Sequence, residues 1–328
     1  MIVGFRKSLQ YIWGQQNFVT MLTQDQNTQE TPVKIGRYAN ILMDRWFKRT
    51  FGWAPARRLM QLLLQQLIPE RTIKEINFGP QENTNPIEKG KDIRLDVRCT
   101  DEEGNLFIVE VQLSEQSTFY ERAVFNSSFV IQEQLPRGSI DWGFAPIYFI
   151  GIVNFSIHKG SDQVLYRYRL REVESGEQMT DRIEYIFLEV PNSQNPDEGN
   201  VTELDHLGYT FGHISEMRER PIWAQGEFYD LLFKSAEISN FAPEEREEYI
   251  KDMRTERDIK NQMAFAKAKG EAEGEARGVA IGEARGEAKG VAKTKKETAS
   301  NLLKMGMEPE SISQATGLTV EDILALKS

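Results

Sequence analysis

Cysteine is almost absent from this chain. Cys99 is alone among 328 residues, so no internal disulfide can form, and its place on the apolar side of an alternating segment makes it a buried thiol. That fits a reducing compartment, and a cytoplasmic location is expected. Long apolar runs are absent too. The longest, 145–155, falls short of the roughly 20 residues a membrane helix needs. The N-terminus carries Arg6 and Lys7 followed by Gln10, Gln15, Gln16 and Asn17, with no continuous apolar signal core. A soluble protein without a membrane segment is expected. An excess of positive charge is lacking, with 40 Lys/Arg against 50 Asp/Glu and a net of −10, which does not advertise a nucleic-acid binder. The global figure hides a local one. Between Gly36 and Phe78 eight Lys/Arg stand against three Asp/Glu, a net of +5, and phosphate contact needs only a local patch. Histidine is sparse as well. His206 and His213 share a helical face seven residues apart, yet no Cys or third His supports a zinc site there, and His158 stands alone without a role.

What is present centres on 92–114, which reads DIRLDVRCT, then DEEGN, then LFIVEVQLS. Both flanks alternate with period two and the middle is a turn cluster around Gly104, so the stretch is a β-hairpin. Ile93, Leu95, Val97 and Cys99 share the apolar face with Phe107, Val109, Val111 and Leu113. Arg94, Asp96, Arg98, Glu110 and Gln112 take the other. Matching the two apolar faces sets Asp96 opposite Glu110. Directly opposed carboxylates repel unless a cation lies between them, so this pair with neighbouring Gln112 is a candidate divalent-metal site. A solvated polar face, its acids neutralised by Arg94 and Arg98, would look the same from spacing alone.

Around the hairpin, residues 1–35 lack periodicity and are expected to be a disordered extension, with Met21 a candidate start. Tyr38 to Phe51 reads as a helix closed by Gly52, with Asp44 and Lys48 an i,i+4 pair. A second helix from Pro55 carries Leu59, Leu62, Leu63 and Leu67 on one face until Pro69. Thr72 to Phe78 is a strand and Gly79 to Lys91 a loop. Thr118 and Glu121 form a capping box for a helix that runs to Leu135 with Arg122 in its first turn. Solvation is the simpler account of Gln134. Ala145 to Ile157 is long and apolar enough to be a central strand, and Val164–Val173 with Arg182–Val190 form a second hairpin. A mixed sheet of about six strands follows. From Val201 to Lys269 the pattern is helical, with Pro221 and Pro243 placed to begin helices. Gly270, Gly274, Gly278, Gly282, Gly286 and Gly290 then recur every four residues. Each interior Gly weakens a helix by about 0.8–1.0 kcal/mol, so a semi-flexible spacer competes with helical self-association. Leu302, Leu303, Ile312, Ile323 and Leu326 suit a small helical tail, whose Glu321 and Asp322 disfavour DNA at the helix start and favour the helix dipole.

The hairpin resembles the core of the PD-(D/E)XK nuclease superfamily, and more closely the branch of PD-(D/E)XK family transposases, or recombination-promoting nucleases. The matching residues are Asp96 and Glu110-Val111-Gln112, together with GRYANILMDRWFKRTFG at 36–52. The resemblance extends through the glycine repeat. It implies an α/β, restriction-endonuclease-like core, a mixed β-sheet flanked by helices, plus an α-helical C-terminal extension. The domains would be the extension 1–35, the nuclease-like domain 36–262, the repeat spacer 263–294 and a helix-turn-helix-like tail 295–328. The implied activity is metal-dependent DNA cleavage. Asp96, Glu110 and the carbonyl of Val111 would hold Mg²⁺ or Mn²⁺, Gln112 would orient a water in place of the usual Lys, and Asp44 would add an acid from the preceding helix. DNA is the expected partner, with homo-oligomer contacts through the helical C-terminal region. The alternative is a catalytically weak DNA- or protein-binding module of the same fold. A purely structural oligomer, resting on the glycine repeat, is a third class.

Overall fold

The computed structural model describes residues 35–80, 82–83, 93–115, 117–135, 138, 140–199 and 201–327. The expected N-terminal extension and most of the loop before the first hairpin lie outside them. The described chain divides into two compact units, with the boundary between Ile250 and Lys251.

The first unit is a mixed sheet with helices on both faces. In chain order it contains α1 (Asp44–Phe51), α2 (Arg57–Leu67), β1 (Ile76–Phe78), β2 (Glu82–Asn83), β3 (Ile93–Arg94), β4 (Val97–Asp101), β5 (Leu106–Gln112) and α3 (Phe119–Gln134). β6 (Ile147–Val153), β7 (Leu165–Arg169), β8 (Ile183–Glu189), α4 (Glu203–His213) and α5 (Glu227–Ala236) follow. Six strands pair in the order β1-β4-β5-β6-β8-β7, while β2 and β3 form a separate two-stranded ladder. β5, β6 and β8 run parallel; the other pairs are antiparallel.

The parallel strands are buried on both faces, as their position demands. On one face Phe107, Val109, Ile150 and Ile186 meet Phe47 and Phe51 of α1, the leucines of α2, and Phe211 and Leu232 from α4 and α5. On the other, Leu106, Ile108, Phe149 and Phe187 meet Phe119, Ala123 and Val130 of α3. Gly151 in β6 makes this second contact possible. A Cβ there would lie 2.8 Å from both Phe119 Cζ and Phe187 Cδ1, so its absence lets the first turn of α3 settle on the sheet.

The β4–β5 hairpin forms as expected, with Val97 opposite Val109. Its turn is pinned by Asp101, whose Oδ1 accepts from the backbone of Glu103 at 3.0 Å and Asn105 at 2.8 Å, and by Gly104 at φ 81°. The single long first strand is a correction. The chain bends at Asp96, and Leu95 packs with the α3-side cluster while Val97 and Cys99 pack on the opposite face. At the bend the Asp96 carboxylate accepts the Val111 N–H of the facing strand at 2.9 Å.

Other boundaries move as well. Tyr38 to Met43 is not helical. Tyr38 bridges to Glu237 and the Asn40 side chain accepts from Leu42 N at 3.0 Å, so that backbone is satisfied outside a helix. The strand expected from Thr72 begins at Ile76, because Gln61 and Gln65 of α2 hold the backbone of Ile73. Thr118 makes no side-chain cap at α3, its ψ of 28° being far from the extended value such a cap uses. Pro221 starts no helix; α5 begins after Gly226. Gln134 is not simply solvated, since its Oε1 accepts from Ala145 N at 2.7 Å. His206 stacks on Trp223, with centroids 4.9 Å apart.

The glycine repeat is helical throughout, as part of the helical C-terminal region. α6 (Pro243–Lys304) is one unbroken helix of 62 residues. Ala, Glu, Lys and Arg between the glycines are strong helix formers, and Lys267–Glu271, Lys269–Glu273 and Lys293–Glu297 add i,i+4 pairs. In the second unit its end joins α7 (Pro309–Thr316) and α8 (Val320–Leu324) around Ala299, Ile312 and Ile323, with Leu302, Leu303, Leu318 and Leu326 at the margin. No described helix is long and apolar enough to cross a membrane.

Candidate active site

The site lies at the C-terminal end of β5, where α1 and α3 both reach the sheet. Alternation along β5 puts Glu110 and Gln112 on the α3 side, and Glu110 is only 4% exposed. The first turns of α3 present Arg122 and, one turn later, Asn126. Arg122 Nη2 donates to Gln112 Oε1 at 2.7 Å and lies 3.3 Å from Glu110 Oε2, while Asn126 Nδ2 donates to Glu110 Oε1 at 2.6 Å. From the other side α1 brings Asp44 and Lys48. Lys48 Nζ lies 2.8 Å from Asp44 Oδ1 and 3.3 Å from Asp96 Oδ1. The i,i+4 pair noticed in the sequence is thus a three-membered bridge that ties α1 to the strand bend.

The electrostatics follow from burial. Removal from water pushes the Asp96 carboxyl up to about 7, helped by its hydrogen bond with Asp44 and by the charges of Asp44 and Glu110, against the pull of the Val111 N–H. Burial also raises Glu110, against Arg122 and Asn126. Burial works in the same direction on Asp44, but hydrogen bonds from Asp96 and Lys48 outweigh it and its pKa is lowered. Lys48 is raised: desolvation opposes this, but its bond to Asp44 and the charges of Asp96 and Asp44 prevail. The cations in contact with Asp96 and Glu110, Lys48 and Arg122, come from helices, and Arg94 of β3 adds a charge that lowers Asp44. Arg98, expected to share this task, instead donates to Glu133 at 2.6 Å, and the acids do not form a solvated face.

The donor set suits a hard divalent ion, for its oxygens come from one buried and one half-buried carboxylate that repel one another and already draw in an ammonium group. Among the described residues no three Asp, Glu, His or Cys side chains are gathered into a ready metal-holding group. Asp96 is engaged by Lys48 and Val111, and Glu110 by Arg122 and Asn126. An ion bound to this pair would take over part of the counter-charge those cations now supply. Sequence reasoning missed Lys48 as a partner of Asp96 and Asn126 as a partner of Glu110. The one signal available was spacing, since Asn126 follows Arg122 by four residues and so shares its helix face.

A mixed sheet flanked by helices, with a β-hairpin that carries its acids to the end of a central strand, is the α/β architecture of the PD-(D/E)XK nucleases. The chain belongs to the PD-(D/E)XK nuclease family transposases, whose family model matches residues 41–266. The match ends before most of the glycine repeat, so the expected resemblance across that repeat is not part of it. No curated protein and no solved structure matches the chain.

Proposed function

We propose that this protein is a divalent-metal-dependent DNA endonuclease of the recombination-promoting type, using Mg²⁺ or Mn²⁺. The observation that carries the reading is that half-buried Asp96 and buried Glu110 meet two cationic side chains, Lys48 and Arg122, at the end of β5. Asp96, Glu110 and the Val111 carbonyl would hold the ion, with Asp44 as a further acid. When bound, such an ion lowers the pKa of a water and offsets charge on a phosphate. The chain's own residues supply the rest. Because guanidinium only donates, Arg122 fixes Gln112 with its carbonyl inward, leaving the amide N–H groups to orient a water. Gln112 cannot take a proton and carries no charge. Lys48 supplies the charge it lacks, for its raised pKa keeps it an ammonium beside Asp96. Arg122 would meet the DNA backbone, whereas in the basic segment before the hairpin Arg37, Arg45, Arg49, Arg58 and Arg71 are paired with Glu237, Glu248, Glu245, Glu227 and Glu103.

A second reading has one observation in its favour: both acids already have counter-charges from the protein, as suits a DNA- or protein-binding module with little catalysis. The two separate in a nicking assay on supercoiled DNA. Cleavage that requires Mg²⁺ or Mn²⁺, stops with EDTA and is lost in Asp96→Asn and Glu110→Gln supports the enzyme. Binding without cleavage under every metal condition supports the module. The α6–α8 region is the proposed homo-oligomer contact, and the cytoplasm the proposed location.

A further inference from the structure

His158, left without a role by the sequence, is the middle of a hydrogen-bonded chain. Glu189, the last residue of β8, is fully buried. It accepts from Ser156 Oγ at 3.2 Å, Ile157 N at 3.1 Å and Asn192 Nδ2 at 2.9 Å, and meets His158 Nδ1 at 2.5 Å. With Nδ1 donating to Glu189, Nε2 is the acceptor for the Tyr168 hydroxyl. Tyr168 in turn meets the Tyr120 hydroxyl at 3.0 Å. The rings are braced from behind. Tyr166 stacks flat on His158 with centroids 3.6 Å apart, and Tyr120 and Tyr168 lean on Phe187 at 5.4 and 5.6 Å. The two tyrosines meet edge to face at 5.9 Å and stay partly exposed, Tyr120 at 40% and Tyr168 at 36%.

The sheet register relates this cluster to the acids. Glu110, Gly151, Phe187 and Tyr166 form one row across β5, β6, β8 and β7. Three strand spacings place the Tyr166 Cα about 14 Å from that of Glu110. Both clusters are on the face covered by α3, because Asn126 bonds Glu110 while Phe119 packs on Phe187. Tyr120 and Arg122 are two residues apart in the first turn of α3, one turned to Tyr168 and the other to Gln112. A nucleic-acid strand passing outside the first turn of α3, which closes over Gly151, would cover about that distance between the acids and the tyrosines in about four stacked nucleotides at about 3.4 Å each.

We propose that Tyr120 and Tyr168, braced by His158 and Glu189, form a stacking subsite for an unpaired base of the substrate strand, about four nucleotides from the phosphate at the Asp96–Glu110 site. This rests on the endonuclease reading above. A base, rather than a phosphate, fits because the hydrogen-bonded chain brings two phenols, an imidazole and a carboxylate but no Lys or Arg, whereas every base offers a π face to an aromatic ring. Rings already held in place lose little freedom on stacking.

The test is fluorescence anisotropy of the full chain with a labelled single-stranded oligonucleotide in EDTA, where cleavage plays no part. Tyr168→Ala and Tyr120→Ala should each weaken binding about tenfold, and Tyr168→Leu, which keeps edge-strand bulk, should do the same. Tyr168→Phe should stay within about twofold, since the ring and not the hydroxyl carries the contact. An oligonucleotide with abasic positions should bind wild type more weakly and Tyr168→Ala no more weakly than the intact one. Thermal melting at the wild-type temperature confirms that each variant is folded. Wild-type affinity in both Tyr168→Ala and Tyr168→Leu, or a loss in Tyr168→Phe equal to theirs, overturns the subsite, as does failure of the wild type to bind the strand. Tyrosine-dependent binding without any metal-dependent nicking would instead overturn the endonuclease reading and leave the subsite in place.

Discussion

Replacing Asp96 by Asn should remove the activity and stabilise the fold, and the size of the second effect follows from the site. The Asp96 carboxyl titrates at about 7 in the folded protein against an ordinary 3.8. Below about pH 4 both states hold the proton and the group contributes nothing. As the pH rises through the interval, the unfolded chain gives up its proton first, so the wild type loses stability up to about pH 7 and is level above that. A difference of about three units corresponds to at most about 4 kcal/mol. Asp44 shifts the opposite way, and Lys48 loses one of its two carboxylate partners in the variant, so roughly half of that, about 2 kcal/mol, is expected. The Asn carbonyl can still accept the Val111 N–H, which keeps that contact at the bend. Urea unfolding in EDTA reads the result directly: the variant should match the wild type near pH 4 and exceed it by about 2 kcal/mol near pH 8. Saturating Mg²⁺ should then raise the wild-type midpoint and leave the variant unmoved. A variant no more stable than wild type at pH 8, or a gap that is the same at both pH values, would refute the account of a destabilised carboxylate.

Lys48→Met should lower the nicking rate by roughly 100-fold, as expected for a lost transition-state charge, with Lys48→Arg recovering part of it; an unchanged rate in Lys48→Met would show that Gln112 needs no cationic substitute. Gly151→Ala should destabilise the first unit by about 1–3 kcal/mol through the clash with Phe119 and Phe187, and a wild-type urea midpoint would mean that α3 has room to lift. A chain shortened to residues 31–269 should unfold cooperatively and keep metal-dependent nicking, because the two compact units part between Ile250 and Lys251; loss of the cooperative transition on heating would make the C-terminal helices part of the nuclease fold.

Much of this protein was legible in its sequence wherever the signal is carried by close neighbours. The alternation of residues 106–112 and the turn at Gly104 placed the hairpin, the leucine spacing of α2 placed its core face, and the long apolar run at 147–153 marked the central strand. The motif Glu110-Val111-Gln112, with Asp96, pointed to the family before any fold was known. Such features depend on periods of two or 3.6 residues and on backbone sterics, which a linear sequence records. Tertiary structure decided the rest. That β5 is buried on both faces follows from α3 lying over Leu106 and Ile108. At the bend the Asp96 carboxylate meets a backbone N–H fifteen residues away. Lys48 reaches Asp96, and His158 reaches both Glu189 and Tyr168, only after helices and strands have packed. Charges that close in space are coupled through burial and desolvation, and neither quantity is written in the spacing of residues along the chain.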